Sequence, residues 1–156
     1  YVRIVILKDR IKLNQIFQRL SSVFFYTLPL KGSLPFGSFL SYKFSFLKLL
    51  DYLTLPVAII ENSLPFGGLL FFLILFAGVV RNPNVPYFVR YNACQALLLD
   101  IALIIITYLL RILPVAEFGL IVFVFTLCIF LFSIFQCING VEPEIPFISK
   151  SVRMQI

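Results

Sequence analysis

Residues 115–138 have the sequence VAEFGLIVFVFTLCIFLFSIFQCI, in which Glu117 is the only charged residue. An α-helix needs about 20 predominantly apolar residues to cross the roughly 30 Å hydrocarbon core of a bilayer, and this run is long enough. Gly140 follows it, and glycine commonly ends helices, while two prolines in the tail disfavour a continuation. The stretch therefore predicts a spanning helix at residues 115–139, followed by a tail at residues 140–156.

Another long apolar run, at residues 88–113, immediately precedes this helix and predicts a second spanning helix. From residue 93 onwards its only strongly polar or charged side chains are Gln95, Asp100 and Arg111. Pro114 separates the two runs, and the residue before a proline disfavours helical geometry. A tight helical hairpin is expected at this point.

A shorter apolar run, LPFGGLLFFLILFAGVV at residues 64–80, predicts one more span. It has no charged residue, but its length is at the lower limit for a crossing. Arg81 and Asn82 end the run, and Pro83 and Pro86 predict a turn after it.

The amino-terminal third predicts three segments. Residues 1–15 form a basic flank, and residues 16–40 form a first span that is short or broken, because Pro29, Gly32 and Pro35 interrupt it. Its purely apolar part is too short to cross alone, so an interfacial or re-entrant segment stays open as an alternative. Residues 43–60 mix apolar and charged side chains, which predicts an amphipathic helix on the membrane surface.

Composition places the chain in the membrane. It is 61% hydrophobic and 13% charged, with a mean hydropathy of +1.03, whereas soluble domains are about a quarter charged. The predicted fold is therefore a single all-α polytopic membrane domain over residues 1–156, with four spanning helices and one surface helix. If the chain crosses four times, nine Lys and Arg residues lie on the side of both termini and four on the other side. The positive-inside rule then places both termini inside.

Composition also argues against catalysis. The chain has no histidine, which removes the commonest general base and metal ligand. Its three cysteines form no CxxC motif, and no phosphate-binding or hydrolase motif occurs. We expect no enzyme activity, no catalytic residue, no cofactor and no metal. The net charge of +6 is concentrated in the first nineteen residues, which predicts contact with membrane lipids rather than nucleic acid.

Polar side chains cluster in the turn before the 88–113 helix and in its first half. The candidate site residues are Arg81, Asn82, Arg90, Asn92, Gln95 and Asp100. Polar groups at membrane depth are costly, so they mark either functional sites or hydrogen bonds between helices. Both readings stay open: the cluster joins helices, or it contacts a transported chain or solute. Arg81 and Arg90 are placed to pair with Asp100 or with phosphate headgroups.

The same region resembles a known family. The stretch VVRNPNVPYFVRYNACQALLLDI at residues 79–101 is similar to the signature of the Tic-twenty family, a subunit of the TIC translocon of the plastid inner envelope. The matching positions are Arg81, Asn82, Phe88, Val89, Arg90, Asn92, Gln95, Ala96, Leu98, Leu99, Asp100 and Ile101. Upstream, Phe25-Tyr26 and Leu28-Pro29-Leu30 also resemble the family's opening segment.

This resemblance implies four transmembrane helices with both termini in the stroma of the chloroplast. It also implies membership of a protein-import translocon, with other TIC and TOC subunits and translocating preproteins as partners. Two alternatives remain: a small solute or ion carrier that uses Asp100 with Arg90, and a membrane scaffold or assembly factor that does not conduct.

Overall fold

Helices make up most of the molecule. The structure, a computed structural model, describes residues 2–113 and 116–156; it is 85% helical and has no strand in these residues. The elements in chain order are α1 (Val2–Phe25), α2 (Thr27–Ser33), a 3₁₀ turn (Leu34–Gly37), α3 (Ser38–Lys43), a second 3₁₀ turn (Ser45–Leu47), α4 (Lys48–Ser63), α5 (Gly68–Leu75), a π-helical turn (Phe76–Val80), α6 (Tyr87–Ile112), α7 (Ala116–Ile138) and α8 (Ile148–Gln155). The predicted break at Pro114 and the first residue of the predicted 115–139 span lie outside the described residues.

Two helices are long and apolar enough to cross a membrane, at Tyr87–Ile112 and Glu117–Ile138. A third crossing is possible if Ser45–Ser63 and Gly68–Val80 together form one span, although they are bent by 102°. The prediction of an all-α membrane protein is confirmed. The count of four spans stays a prediction.

The bend between α4 and α5 shifts the predicted boundaries. The 64–80 run becomes helical only at Gly68, because Phe66 and Gly67 have φ angles of 62° and 49°, which no α-helix accommodates. The preceding helix α4 extends to Ser63, beyond the amphipathic helix predicted at residues 43–60, and buries Thr54 and Val57 on one side.

The amino-terminal segment lies along α7. At one end the Arg19 Nη1 donates a hydrogen bond of 2.9 Å to the carbonyl oxygen of Ile138. At the other end Gly37 and Phe36 pack against Phe123 and Gly119. Residues 19–37 therefore run antiparallel to α7 over most of its length. The interruptions predicted from Pro29, Gly32 and Pro35 occur at Tyr26 and in the 3₁₀ turn at Leu34–Gly37.

The sequence predicts that α6 and α7 form a tight hairpin, but the two helices do not pack closely against each other. The two helices make few contacts with each other, since α7 packs mainly on the amino-terminal segment. An apolar cavity of about 510 Å³ separates them, and we call it the α6–α7 groove. Ile106 and Phe125 are among its walls, and Tyr26 and tail residues 145–148 also line it.

The tail folds back onto the helical bundle. After Gly140, which has a φ of 74°, the chain turns back, and α8 packs against the first half of α6 with Val152 fully buried. The hydrophobic core is centred on this contact between α1, α2, α6, the end of α7 and the tail. This packing positions the polar cluster.

Candidate functional site

Asn92 and Gln95 form the centre of a buried polar network. Both lie on the first half of α6, and both are 0% exposed. The Tyr26 hydroxyl donates to Asn92 Oδ1 at 2.9 Å, and the Cys137 thiol donates to the same oxygen at 3.3 Å. Asn92 Nδ2 donates to the carbonyl oxygen of Phe88 at 2.8 Å. Asn92 thus connects the end of α1 and the end of α7 to α6.

Gln95 connects the network to the tail. Its Nε2 donates to the Tyr26 hydroxyl oxygen at 3.2 Å and to the Pro143 carbonyl oxygen at 3.0 Å. The Ser149 hydroxyl donates to Gln95 Oε1 at 3.0 Å and accepts the Ile145 N–H at 2.7 Å. Every polar atom of the Gln95 amide therefore has a partner, as buried polar groups require.

Two more side chains, Tyr91 and Arg153, connect the tail to α6. The buried Tyr91 hydroxyl donates to the same Pro143 carbonyl oxygen at 3.0 Å. Arg153 of α8 lies over the Tyr91 ring at 5.8 Å and pairs with Glu142 and Glu144. The hydrogen bond to Glu144 raises the pKa of Arg153 above its usual value, so this guanidinium stays charged at any physiological pH.

Three other residues of the cluster, Arg81, Asn82 and Arg90, lie at or near the 81–86 turn and contact neighbouring segments and the end of the tail. Arg90 Nε donates to the Val80 carbonyl oxygen at 2.8 Å, and its Nη2 donates to the Ile156 carbonyl oxygen at 3.5 Å. Arg81 lies 5.3 Å from the centre of the Phe76 ring. Asn82 Oδ1 accepts the backbone N–H of Asn84 at 3.0 Å, which closes the turn.

Asp100 faces a different partner from the two predicted. Within the described residues it forms no ion pair with Arg81 or Arg90, which are held by backbone carbonyls and by an aromatic ring. Asp100 instead faces α2, because a Cβ added at Gly32 would be 3.4 Å from Asp100 Oδ1. Lys31, the residue before Gly32, brings a positive charge to this side of Asp100 without forming a direct ion pair with it among the described residues. Lys31 also pairs directly with Glu61 of α4. The structure thus joins Asn92 and Gln95 in one network and places Asp100 in another.

We call Lys31, Glu61 and Asp100 the second group. We expect neutral substitutions in this group to lower the stability of the protein by unequal amounts. Lys31 and Glu61 have 29% and 18% exposed side chains, so water screens them only in part. Lys31→Met removes the ion-pair partner of Glu61 and the positive charge near Asp100, and it is expected to lower the free energy of unfolding by about 1–2 kcal/mol. Glu61→Gln keeps an acceptor for Lys31 and is expected to cost less. Reversible unfolding by SDS in mixed micelles measures both, and equal losses would show that the positive charge near Asp100 does not contribute.

No metal site accompanies these charges in the described part of the chain, where no three His, Cys, Asp or Glu side chains converge. Ser133 Oγ is the one buried side-chain polar atom without a hydrogen-bond partner among the described residues. The contacts shown by these two groups are hydrogen bonds and charge interactions between helices.

Comparison with known proteins identifies the family. The family described as "Chloroplast import apparatus Tic20-like" matches residues 9–152. The chain belongs to the Tic20 family. This is the Tic-twenty family that residues 79–101 resemble, and the resemblance is confirmed. Both groups of polar side chains lie within the matched residues.

Three Tic20 relatives align with this chain over 149 to 156 residues. The chain is 33% identical over 149 residues to "Tic20 family protein" of Synechocystis sp., which covers 88% of this chain and 92% of that protein. It is 33% identical over 150 residues to "Protein TIC 20-II, chloroplastic" of Arabidopsis thaliana, covering 89% and 72%. It is 32% identical over 156 residues to "Tic20 family protein Ycf60" of Gracilaria tenuistipitata var. liui, covering 90% and 76%.

Several residues of the networks were absent from the sequence prediction. Tyr26 appeared only as part of the family resemblance, although its hydroxyl in an apolar segment is a usable signal, because a buried tyrosine normally has a hydrogen-bond partner. The Pro143 contribution comes from a backbone carbonyl, and no side-chain pattern reveals it. Ser149 is one of two serines in the tail, which has no threonine, and only the return of α8 brings it to Gln95.

Proposed function

We propose that this Tic20 family member is a subunit of the protein-import translocon in the plastid inner envelope membrane, where it contributes to the path of unfolded preproteins. The observation that supports this most strongly is the family match over residues 9–152. The Arabidopsis relatives TIC 20-II and TIC 20-v, both named chloroplastic, support the localisation. Its partners in this proposal are other TIC and TOC subunits and preproteins, and it has no catalytic role.

The proposed topology has four crossings with both termini in the stroma. Residues 19–37 lie antiparallel to α7 from the Arg19–Ile138 contact to the Gly37–Phe123 contact, which supports a first crossing of matching length. The bent pair of α4 and α5 would supply the second crossing. The excess of Lys and Arg on the side of both termini supports the orientation.

Within this proposal the Asn92–Gln95 network has a structural role. Both side chains are fully buried and hydrogen bonded within the chain, so a preprotein reaches them only if the tail moves. Asp100 and the α6–α7 groove are more accessible, since Asp100 is partly exposed and Phe125 in the groove wall is 66% exposed. We therefore expect preprotein contacts there rather than at Asn92 or Gln95.

Crosslinking tests the proposed path. A photoreactive residue is placed at Phe125 in the groove, at Asp100, or at Leu131, which is exposed on α7 but does not line the groove. A preprotein arrested during import into isolated plastids is expected to form adducts with the first two positions and not with Leu131. If arrested preprotein reacts with none of them, or equally with Leu131, the proposed path is wrong. Co-purification with other envelope import subunits tests membership of the translocon separately.

The second candidate function is a scaffold that does not contact cargo, and the complete hydrogen bonding of Asn92 and Gln95 favours it. Ala102→Trp places a bulky side chain in the groove, and Cys128→Trp places the same side chain at an exposed position outside it. If the groove is part of the path, Ala102→Trp slows import more than Cys128→Trp. Equal import rates in both variants, with intact assembly, support the scaffold.

A further inference from the structure

The first part of α1 extends beyond the helical bundle. Arg19 is at the level of the end of α7, where it contacts Ile138, and all side chains from residue 3 to residue 17 are exposed. At 1.5 Å per residue, the helix projects about 24 Å from residue 19 to residue 3. Eight of its fifteen side chains from residue 3 to residue 17 are apolar, and each of the eight is at least 44% exposed. Exposed apolar surface of this extent is normally covered by a partner.

The apolar residues of this projection follow a heptad pattern. Ile6, Leu13 and Leu20 are spaced by seven residues, and Ile16 lies three residues after Leu13. This alternation of three and four places them on one stripe of the helix, as at the a and d positions of a coiled coil. We call this stripe the α1 seam. Asp9 occupies the one polar position within it.

Positive charges line both edges of the seam. Arg3 and Arg10 follow seam positions 2 and 9 and lie on one edge of the seam. Lys12 precedes Leu13 and lies on the other edge. Of the four basic residues between positions 3 and 12, Lys8 alone lies on the far side of the helix. In the described residues no carboxylate forms an ion pair with any of these side chains. Edge charges of one sign select a partner helix with edge charges of the opposite sign.

A flat membrane surface fits the projection poorly. A helix that lies in the lipid headgroups has one apolar side and one polar side. Here Ile4, Leu7 and Ile11 form a second exposed apolar stripe away from the seam. Moreover, α1 is one unbroken helix from Val2 to Phe25, and its second half is packed along α7, so its first half cannot turn onto the bilayer without breaking.

A second copy of the chain fits poorly as well. Pairing two α1 seams would bring the Arg3, Arg10 and Lys12 edges of both copies together, and like charges at these positions repel. We propose that the α1 seam binds one acidic amphipathic helix of a different polypeptide as a short two-stranded coiled coil. Asp9 sets the register of this pair, and the partner has a cationic or amide side chain opposite it. The inference does not depend on the import role.

The first test locates the partner in intact membranes that contain the full chain. A photoreactive residue replaces Leu13 in the seam or, as a control, Gln15 outside it, and mass spectrometry sequences the adduct. We expect the Leu13 probe to react with a segment that has apolar heptad positions and Asp or Glu at their edges. The Gln15 probe is expected to react much less. Adducts with a second copy, with lipid alone or with a segment lacking this pattern would overturn the proposal, as would no adduct.

The second test uses two lysines with the same charge change. Lys12→Glu reverses the charge on one edge of the seam, and Lys8→Glu reverses the charge on the far side of the helix. Both residues are exposed, so neither change disturbs the core. Lys12→Glu is expected to lower the Leu13 adduct yield by roughly threefold or more, since edge pairs of this kind each contribute modestly. Lys8→Glu should leave the yield unchanged. Equal losses would show that net charge alone matters and would refute the seam. Protease accessibility of the tail confirms that both variants keep their topology.

Discussion

Replacing Gln95 with leucine is expected to release the tail from α6 and to lower the free energy of unfolding by about 2 kcal/mol, since it removes three hydrogen bonds of modest strength. The change keeps the volume of the side chain approximately constant, so it tests the hydrogen bonds rather than the packing. It leaves Gln95's former partners, the Tyr26 hydroxyl and the Ser149 hydroxyl, buried with fewer bonds. Pro143 keeps the bond from Tyr91.

Two measurements follow the effect of this substitution. SDS titration in mixed micelles gives the free energy of unfolding, and hydrogen exchange reports whether α8 stays protected. Gln15→Leu is the matched control, because Gln15 is exposed on α1 and forms no such bonds. If Gln95→Leu unfolds like the unmodified protein and α8 amides remain protected, the network does not hold the tail.

The second large effect is expected from Gly37→Ala. A Cβ at Gly37 would lie 2.6 Å from three ring atoms of Phe123, a buried side chain that is 1% exposed. The backbone is not the obstacle, because Gly37 has a φ of −93° that alanine readily adopts. Overpacking of this kind costs about 1–3 kcal/mol, and it should separate the amino-terminal segment from α7.

Gly78→Ala provides the control, because nothing lies within 4 Å of a Cβ added there. It should leave stability unchanged, whereas Gly37→Ala should unfold at lower SDS. Adding Phe123→Leu to Gly37→Ala should recover part of the loss, since the smaller side chain removes the clash. A loss that persists undiminished in the double variant would show that the steric explanation is wrong.

The sequence was most informative where hydrophobicity alone sets the structure. The runs at residues 88–113 and 115–138 were recognisable as membrane helices, because crossing a bilayer demands length and an absence of charge, both of which are read directly from the chain. The family was recognisable from the minority of polar residues between Arg81 and Asp100. Helix boundaries near Gly68 were not, since the positive φ angles at Phe66 and Gly67 depend on how the bend packs.

The sequence did not reveal which polar side chains contact each other. It indicated that Asn92, Gln95 and Asp100 need polar surroundings, and it offered Arg81 and Arg90 as partners either for Asp100 or for phosphate headgroups. The structure places Asp100 near Lys31, more than sixty residues away in the chain, and gives Arg90 to the carbonyl oxygen of Val80. Which of several cations meets a carboxylate is decided by the relative positions of helices, and these follow from packing rather than from spacing.

The sequence by itself determined that this protein is a helical membrane protein of the Tic20 family, because solvent preference and a local motif are properties of single segments. Only the tertiary structure decided that the tail returns to cover Asn92 and Gln95, and that the amino-terminal segment rather than α6 packs along α7. The reason is physical: lipid-facing and protein-facing sides of an apolar helix are chemically alike. The contacts between such helices depend on close fit, as at Gly37 and Phe123, and on a few hydrogen bonds such as those of Gln95.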